Sequence, residues 1–161
     1  MDVPELIQVR EASLDEILPL RHRVLRPGRP REAASFEGDI EPTTRHWGLF
    51  DLTTNRGLAC LSLLRRPDVE QDAWQLRGMA VLPELQGAGL GRQLLREVLA
   101  ALASERRENP ALPTRLWCNA RKGAVPFYAR CGWSVSGAAF DIPGIGPHFR
   151  MHRSLPATQA P

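Results

Sequence analysis

The sequence has little lysine, little net charge and little cysteine, and the last two shortages each exclude a class of protein. Lys122 is the only lysine, so the basic residues are almost all arginine, and the net charge is only +3. A balance this small, without a basic stripe interleaved with aromatic residues, argues against nucleic acid as a partner. Three cysteines without regular spacing, Cys60, Cys118 and Cys131, predict neither a disulfide framework nor a zinc site.

Long apolar runs are also missing. No stretch approaches the roughly 18 residues that a membrane-spanning helix requires, and the N-terminal residues lack the basic-then-apolar pattern of a secretory signal. We therefore expect a cytoplasmic protein that has no membrane partner. With 161 residues, 43% of them hydrophobic, we expect a single domain over residues 1–155 and a flexible tail at residues 156–161.

Periodicity and turn residues predict alternating strands and helices. A strand at residues 6–9 precedes a helix that begins at Leu14, because Ser13 and Glu16 have capping-box spacing. Pro19 inside this helix predicts either a kink or the start of a second helix. After this helix we expect a loop to about Thr44, an antiparallel hairpin of strands at 46–52 and 57–65, and a strand at 74–82. A helix is then predicted after Gly91, followed by a strand at 114–119, a short helix at 122–130, and final strands at 133–136 and 148–153. This order predicts a mixed sheet with helices packed on it, of α/β or α+β class.

The segment from Trp74 to Leu95 is the most informative about chemistry. It is predicted to be a strand, a glycine-rich turn and the first turns of a helix, with Gly87, Gly89 and Gly91 where the helix begins. Backbone N–H groups in a first helical turn have no partner inside the helix, and the helix dipole directs its positive end toward them. The turn is therefore predicted to bind phosphate oxygens.

Three other interpretations of this turn stay open on the residues alone. A P-loop needs a lysine and a hydroxyl residue after the last glycine, whereas Arg92 and Gln93 follow Gly91. A dinucleotide fold needs Gly-x-Gly-x-x-Gly and an acidic residue at the end of the next strand, which here ends at Cys118 and Asn119. In the third, the glycines only permit a tight strand-to-helix turn.

Two sequence motifs, separated by the distance typical of one protein family, resemble the motifs of that family. The segment from Gln86 to Arg92, Gln-Gly-Ala-Gly-Leu-Gly-Arg, follows Met-Ala-Val-Leu-Pro-Glu and resembles the acyl-CoA signature of the GNAT acetyltransferase superfamily. A second element of that family follows at the matching distance, with Asn119, Ala124, Phe127, Tyr128, Cys131, Gly132 and Trp133. The resemblance covers residues 74–134. It implies a mixed, mostly antiparallel central sheet of about six to seven strands, with helices on both faces and a splayed strand pair.

The resemblance also implies an activity. The protein would be an N-acetyltransferase that passes the acetyl group of acetyl-CoA to a primary amine by direct attack in a ternary complex, without a metal. The pantetheine arm of acetyl-CoA would pair with the backbone of Met79, Ala80 and Val81. Its pyrophosphate would sit on the amides of Gln86, Gly87, Ala88, Gly89, Leu90, Gly91 and Arg92. Asn119 would hydrogen-bond the pantetheine or an ordered water, or else serve only the turn at the strand end.

Tyr128, the only tyrosine, lies where the family usually carries the acid that protonates the departing thiolate. A phenol can donate that proton at neutral pH, although the ring can also simply pack beside Phe127. The general base stays open among the side chains of Glu37, Asp39, His46 and His148 and a water relay to solvent. An acyl-enzyme on Cys118 or Cys131 is not expected, because neither has an evident activating base beside it.

A finer resemblance concerns the small bacterial ElaA-like and YjcF-like members. It rests on residues 20–25, 44–48 and 145–151 and implies that Arg21, His46 and His148, with Glu37 as a further candidate, line the acceptor pocket. The acceptor, a small-molecule or peptide amine, is not identified by the sequence. A homodimer is common in the family. The alternative function is a non-catalytic sensor of acyl-CoA with the same fold.

Overall fold

A computed structural model describes residues 2–156 of the chain. Within them lie seven strands and three α-helices, in the order β1 Ile7–Ala12, α1 Leu14–Leu25, β2 Arg45–Asp51, β3 Gly57–Arg65, β4 Ala73–Val81, α2 Leu90–Glu108, β5 Arg115–Arg121, α3 Val125–Arg130, β6 Ser134–Ile142 and β7 Gly146–Ser154. Short 3-10 turns occupy Arg31–Ala34, Pro83–Leu85 and Lys122–Ala124. The predicted order of strands and helices is confirmed.

The strands follow the order β1-β2-β3-β4-β5-β7-β6 in one sheet. Antiparallel pairing joins β1 to β2, β2 to β3, β5 to β7 and β6 to β7. β4 and β5 run parallel, and their register pairs only Ala73–Gln75 with Arg115–Trp117. The predicted fold class, a mixed and mostly antiparallel sheet with a splayed strand pair, is confirmed.

The chain divides into two compact units. The first unit contains the residues up to Leu64 together with Arg77–Ala101, and the second unit contains Arg65–Leu76 together with the chain from Leu102 onward. The single domain over residues 1–155 stays a prediction. Residues 157–161 of the predicted tail lie outside the described residues. No helix of the described chain is both long enough and apolar enough to span a membrane.

Helix α1 begins where its capping residues predict. The Ser13 hydroxyl accepts a hydrogen bond from the Glu16 amide, and the Glu16 carboxylate accepts one from the Ser13 amide at 2.8 Å. Pro19 lies inside this single helix, so a second helix starting there is wrong. The buried face formed by Ile17, Leu20 and Arg21 holds the helix together across the hydrogen bond that proline removes.

Helix α2 buries the face that its periodicity predicts. Leu90, Leu94, Leu95, Val98, Leu99 and Leu102 are all at most 3% exposed. Each such side chain contributes roughly 1.5–3 kcal/mol when it leaves water. The helix ends at Glu108, directly before the predicted break at Asn109 and Pro110. This packing fixes the start of α2, and with it the glycine-rich turn.

Candidate active site

The glycine-rich turn before α2 has backbone angles that favour glycine, and it borders open space. Gly87 and Gly89 have φ of +85° and +86°, in the left-handed region. A Cβ placed on either glycine would have no heavy atom within 4 Å. Among residues 2–156, therefore, no atom blocks these two positions, and a ligand can approach the backbone of the turn closely.

The first amides of α2 face this space without protein acceptors. In the described chain the N–H groups of Gly89, Leu90, Gly91 and Arg92 donate to no protein group, and the first helical bond runs from Gln93 N to Gly89 O at 3.0 Å. No acidic residue occupies the first turn of α2, so the positive end of the helix dipole is not offset there. These are the donors and the field that a phosphate group needs.

The other residues predicted for the turn have different roles. The amides of Gln86 and Ala88 already donate to Pro83 O and Leu85 O, at 3.3 and 3.4 Å, so these two predicted phosphate donors are engaged within the protein. The Leu90 side chain is buried and packs in the core, which leaves only its amide for a ligand. The Arg92 side chain is exposed and makes no hydrogen bond within the described chain.

Strand β4, which the resemblance assigns to the pantetheine arm, has an irregularity that the sequence analysis missed. Gly78 has φ of +61°, and a Cβ there would lie 2.8 Å from Arg21 Nε. Next along the strand, Met79 and Val81 are half-buried and Ala80 is buried. An isolated glycine in a strand pattern is the signal that indicates such a site.

We expect Gly78→Ala to destabilise the protein well beyond the cost of its backbone strain, which is about 1–3 kcal/mol. Arg21 is completely buried and held by hydrogen bonds, so its Nε cannot move away from the new methyl group. Gly137→Ala is the matched control, because Gly137 has φ of +76° with no heavy atom within 4 Å. Chemical denaturation measures both variants, and equal losses would contradict the steric account.

Arg21 is the centre of a buried polar network in the first unit. Its guanidinium donates to Asp39 Oδ2 at 2.6 Å, to Ala34 O at 3.0 Å and to Ser62 Oγ at 2.7 Å. Its Nε is buried and has no hydrogen-bond partner among the described residues. A buried guanidinium is tolerated only when it is paired with an opposite charge, and Asp39 provides that charge.

His46 belongs to the same network, because it contacts both Ser62 and Asp39. Its Nε2 lies 2.9 Å from Asp39 O, and a carbonyl only accepts, so Nε2 carries the proton. Its Nδ1 then accepts from the Ser62 hydroxyl at 2.6 Å. Both ring nitrogens are therefore engaged inside the protein.

This network corrects three expectations. Arg21 has no exposed surface, so it does not line an acceptor pocket directly. His46 has no ring nitrogen left to act as a base. Asp39 Oδ2 already accepts from Arg21 and from the amide of Phe36. The three side chains hold the segment between α1 and β2 in place, with Arg21 and His46 fully engaged and Asp39 paired with Arg21.

In the second unit, Asn119 lies on β5 with an unsatisfied acceptor. Its Oδ1 is buried and has no hydrogen-bond partner among the described residues. A buried acceptor left without a donor costs roughly 1–3 kcal/mol. An amide N–H of a bound pantetheine arm has the chemistry that this oxygen lacks, so the residue fits the ligand that the sequence resemblance implies.

Tyr128 is 6% exposed and packs edge-to-face against Phe127 and Trp133, with ring centroids 5.2 and 5.4 Å away. Burial raises the pKa of Tyr128 well above its usual value, and the negative charge that Cys118 or Cys131 would carry on ionisation raises it further. The phenol therefore stays protonated at neutral pH. It carries the proton that the predicted acid role requires, and that role stays a prediction.

Unlike His46, His148 keeps one ring nitrogen that makes no hydrogen bond to the described residues. It is 4% exposed, and its Nδ1 donates to Gly146 O at 2.8 Å. In the neutral ring this leaves Nε2 as the acceptor. The Glu37 side chain is exposed. His148 Nε2 and the exposed Glu37 carboxylate therefore stay candidates for the base.

The Cys118 thiol is held in its protonated form. Burial raises the pKa of the Cys118 thiol to about 12, against the opposing charge of Arg150, and a thiol held in that form is a poor nucleophile. Among residues 2–156 no three His, Cys, Asp or Glu side chains come together in a group that could hold a metal ion.

Comparison with known proteins decides the family. The model of the acetyltransferase (GNAT) domain matches residues 44–135 of this chain. The chain belongs to the GNAT acetyltransferase family. A relative of this GNAT protein, the uncharacterized N-acetyltransferase YitI of Bacillus subtilis (strain 168), is 32% identical over 151 residues, which cover 93% of this chain and 97% of YitI.

Solved structures share the fold of this GNAT acetyltransferase. Escherichia coli ElaA superposes with a TM-score of 0.71 at 19% identity, covering 92% of this chain and 100% of ElaA. An aminoglycoside 6′-N-acetyltransferase complexed with coenzyme A superposes with a TM-score of 0.70 at 11% identity, covering 95% and 99% of the two chains. At these identities the similarity concerns the fold alone.

Proposed function

We propose that the protein transfers the acetyl group of acetyl-CoA to a primary amine by direct attack in a ternary complex. The observation that carries the proposal is the row of amides at Gly89, Leu90, Gly91 and Arg92, which have no protein acceptor in the described chain and lie beside open space. Such a row matches the diphosphate of coenzyme A. The coenzyme A complex of a protein with the same fold supports this choice of ligand.

Two further parts of the chain would hold the rest of acetyl-CoA. The backbone of Met79, Ala80 and Val81 is assigned to the pantetheine arm by the family resemblance. The buried, unsatisfied Oδ1 of Asn119 supports a hydrogen bond to a ligand donor. When bound, acetyl-CoA supplies an activated thioester carbonyl, and these residues orient it for attack.

Proton transfer is assigned to Tyr128 and to one candidate base. The amine must be neutral to attack, so a base or a water relay removes its proton, and His148 Nε2 has the acceptor lone pair for this role. The thiolate of coenzyme A leaves more easily when it is protonated, and the Tyr128 hydroxyl is the proposed donor. Glu37 remains the second candidate for the base.

The test of this function is an assay of free thiol release together with calorimetry for coenzyme A. We expect coenzyme A to bind and thiol to be released from acetyl-CoA only when an amine is present. Binding without release across a broad amine panel would indicate an acyl-CoA sensor. The absence of binding would overturn both functions. Cytoplasmic location and a homodimer remain predictions.

A further inference from the structure

Helix α3, which carries Tyr128, ends in a turn that folds the chain back onto this residue. The Gly132 amide donates to Ala129 O and the Trp133 amide donates to Tyr128 O, each at 3.0 Å. Gly132 has φ of +85°. This is a Schellman motif, in which a residue in the left-handed region follows the helix and two backbone hydrogen bonds satisfy its last carbonyl groups. The motif brings Trp133 back to Tyr128.

The side chains of Trp133 and Tyr128 meet at this turn. Their ring centroids lie 5.4 Å apart with an interplanar angle of 62°, so the rings pack edge to face. Both side chains are buried, with 3% and 6% of their surface exposed. A contact between the residues at these two positions frequently accompanies a Schellman motif. The backbone that ends α3 therefore also sets the ring that packs on Tyr128.

Strand β7 ties the same turn to the sheet. The Arg153 guanidinium donates to the carbonyl oxygen of Cys131, and a Cβ on Gly132 would lie 3.2 Å from Arg153 Nη1. A cation at the C-terminal end of a helix interacts favourably with its last carbonyl groups. The turn is thus fixed by its own hydrogen bonds and by a contact from the sheet, so Trp133 is held in one place.

Trp133 buries a polar atom that a simpler core residue would not carry. Its Nε1 is buried and has no hydrogen-bond partner among residues 2–156. A buried donor without an acceptor is unfavourable, and phenylalanine would fill a buried aromatic position without such a donor. Stability alone therefore gives no reason for tryptophan at this position. The indole ring does, however, reach further from the backbone toward Tyr128 than a phenyl ring would.

We propose that Trp133 is a positioning residue, which holds the Tyr128 ring, and so its hydroxyl, in place for proton donation to the departing thiolate. The inference rests on the proposed function, in which Tyr128 is the acid. An acid must lie within hydrogen-bond distance of the atom that it protonates. Phe127 also contacts the Tyr128 ring, but its own side chain is half-buried, so we expect it to confine Tyr128 less than Trp133 does.

The test is a double-mutant cycle of Trp133→Phe and Tyr128→Phe in the full chain, with kcat for thiol release from acetyl-CoA as the readout. The smaller ring leaves a gap beside Tyr128, so we expect Trp133→Phe alone to lower kcat about tenfold, with little change in KM for acetyl-CoA. In the Tyr128→Phe protein, which has no hydroxyl to position, the same substitution is expected to leave kcat unchanged. A residue that only stabilises the fold would lower kcat by the same factor in both proteins.

Trp47→Phe is the matched control. Trp47 is 7% exposed, and its Nε1 is likewise buried without a hydrogen-bond partner in the described chain. It lies on β2 in the first unit, outside the turn that follows α3. The control therefore removes the same atoms from a similar environment. We expect Trp47→Phe to keep the kcat of the unmodified protein.

The position of the Tyr128 ring can also be followed without turnover, because Tyr128 is the only tyrosine of the chain. In protein labelled with ¹³C in its tyrosine ring, NMR measures how fast this one ring flips. We expect the flips to be faster in Trp133→Phe than in the unmodified protein, because the ring has lost part of its packing. Trp47→Phe is expected to leave the flip rate unchanged.

Three outcomes overturn the inference. They are an unchanged kcat in Trp133→Phe, a loss of kcat that is the same with and without the Tyr128 hydroxyl, and a flip rate that Trp133→Phe does not alter. If Tyr128→Phe alone leaves kcat unchanged, Tyr128 is not the acid and the inference fails with that role. Absence of thiol release with every amine would instead overturn the proposed function, and the flip rate would still show whether Trp133 holds the ring.

Discussion

Tyr128→Phe is expected to slow turnover about 100-fold or more while coenzyme A binding persists. The substitution removes one oxygen and leaves the ring packed against Phe127 and Trp133. Without the hydroxyl, the thiolate must leave unprotonated or take its proton from water. Steady-state thiol release with the preferred amine measures kcat, and calorimetry measures coenzyme A affinity.

A second variant separates chemistry from packing. Phe127→Leu disturbs the same aromatic group without touching the Tyr128 hydroxyl, and we expect it to change kcat only slightly. An unchanged kcat in Tyr128→Phe would remove Tyr128 from the mechanism. Equal losses in both variants would indicate that the ring contributes packing and not a proton.

The pH dependence tests the same role. A group that acts as an acid loses its activity as the pH rises through its pKa. Burial raises the pKa of Tyr128 above its usual value, so no alkaline decline from this residue is expected below about pH 10. We expect kcat to rise as the amine loses its proton and then to stay level. A decline between neutral pH and about pH 9 would contradict Tyr128 as the donor.

The elements predicted from the sequence are those whose signals are local. Ser13 and Glu16 cap α1 through contacts between residues of a single turn. The apolar face of α2 repeats at helical spacing, and every predicted position on it is buried. Strand β6 was predicted too short, because Gly137 and the alanines after it interrupt the strand pattern.

The buried network could not be predicted in this way, because its partners lie far apart in the sequence. Arg21, Asp39, His46 and Ser62 come from four parts of the chain, namely α1, the segment between α1 and β2, β2 and β3, and the sequence does not show that they meet. Arg21 and His46 therefore looked like pocket residues. A sequence signal did exist, because Ser62 is a lone polar residue in a buried strand and so requires a buried partner.

The Phe36 ring, over which Arg21, Arg26 and Arg77 lie, shows the same limit. The arginines around the ring lie far apart along the chain, and only the folded segment between α1 and β2 brings them to one ring. The glycine-rich turn before α2, which we propose binds phosphate, is the opposite case. Its candidate donors are consecutive residues, so the glycine spacing predicts the turn, the family resemblance assigns it to acyl-CoA, and the structure adds which amides are already engaged.

Gly89→Val is expected to weaken coenzyme A binding about tenfold or more. The new side chain would occupy open space above the amides that have no protein acceptor, where a phosphate must approach. It would also force a β-branched residue to φ of +86°, which costs about 1–3 kcal/mol of stability. Calorimetry with coenzyme A and thermal unfolding measure the two effects separately.

A control has to separate the backbone strain of a valine at positive φ from the obstruction of the approaching phosphate. Gly144→Val is that control. Gly144 has φ of +76° and, like Gly89, no heavy atom within 4 Å of an added Cβ. We expect both variants to lose similar stability, but only Gly89→Val to lose affinity for coenzyme A. Because the change at Gly144 leaves the start of α2 intact, equal affinity in the two variants would place the diphosphate somewhere other than this turn.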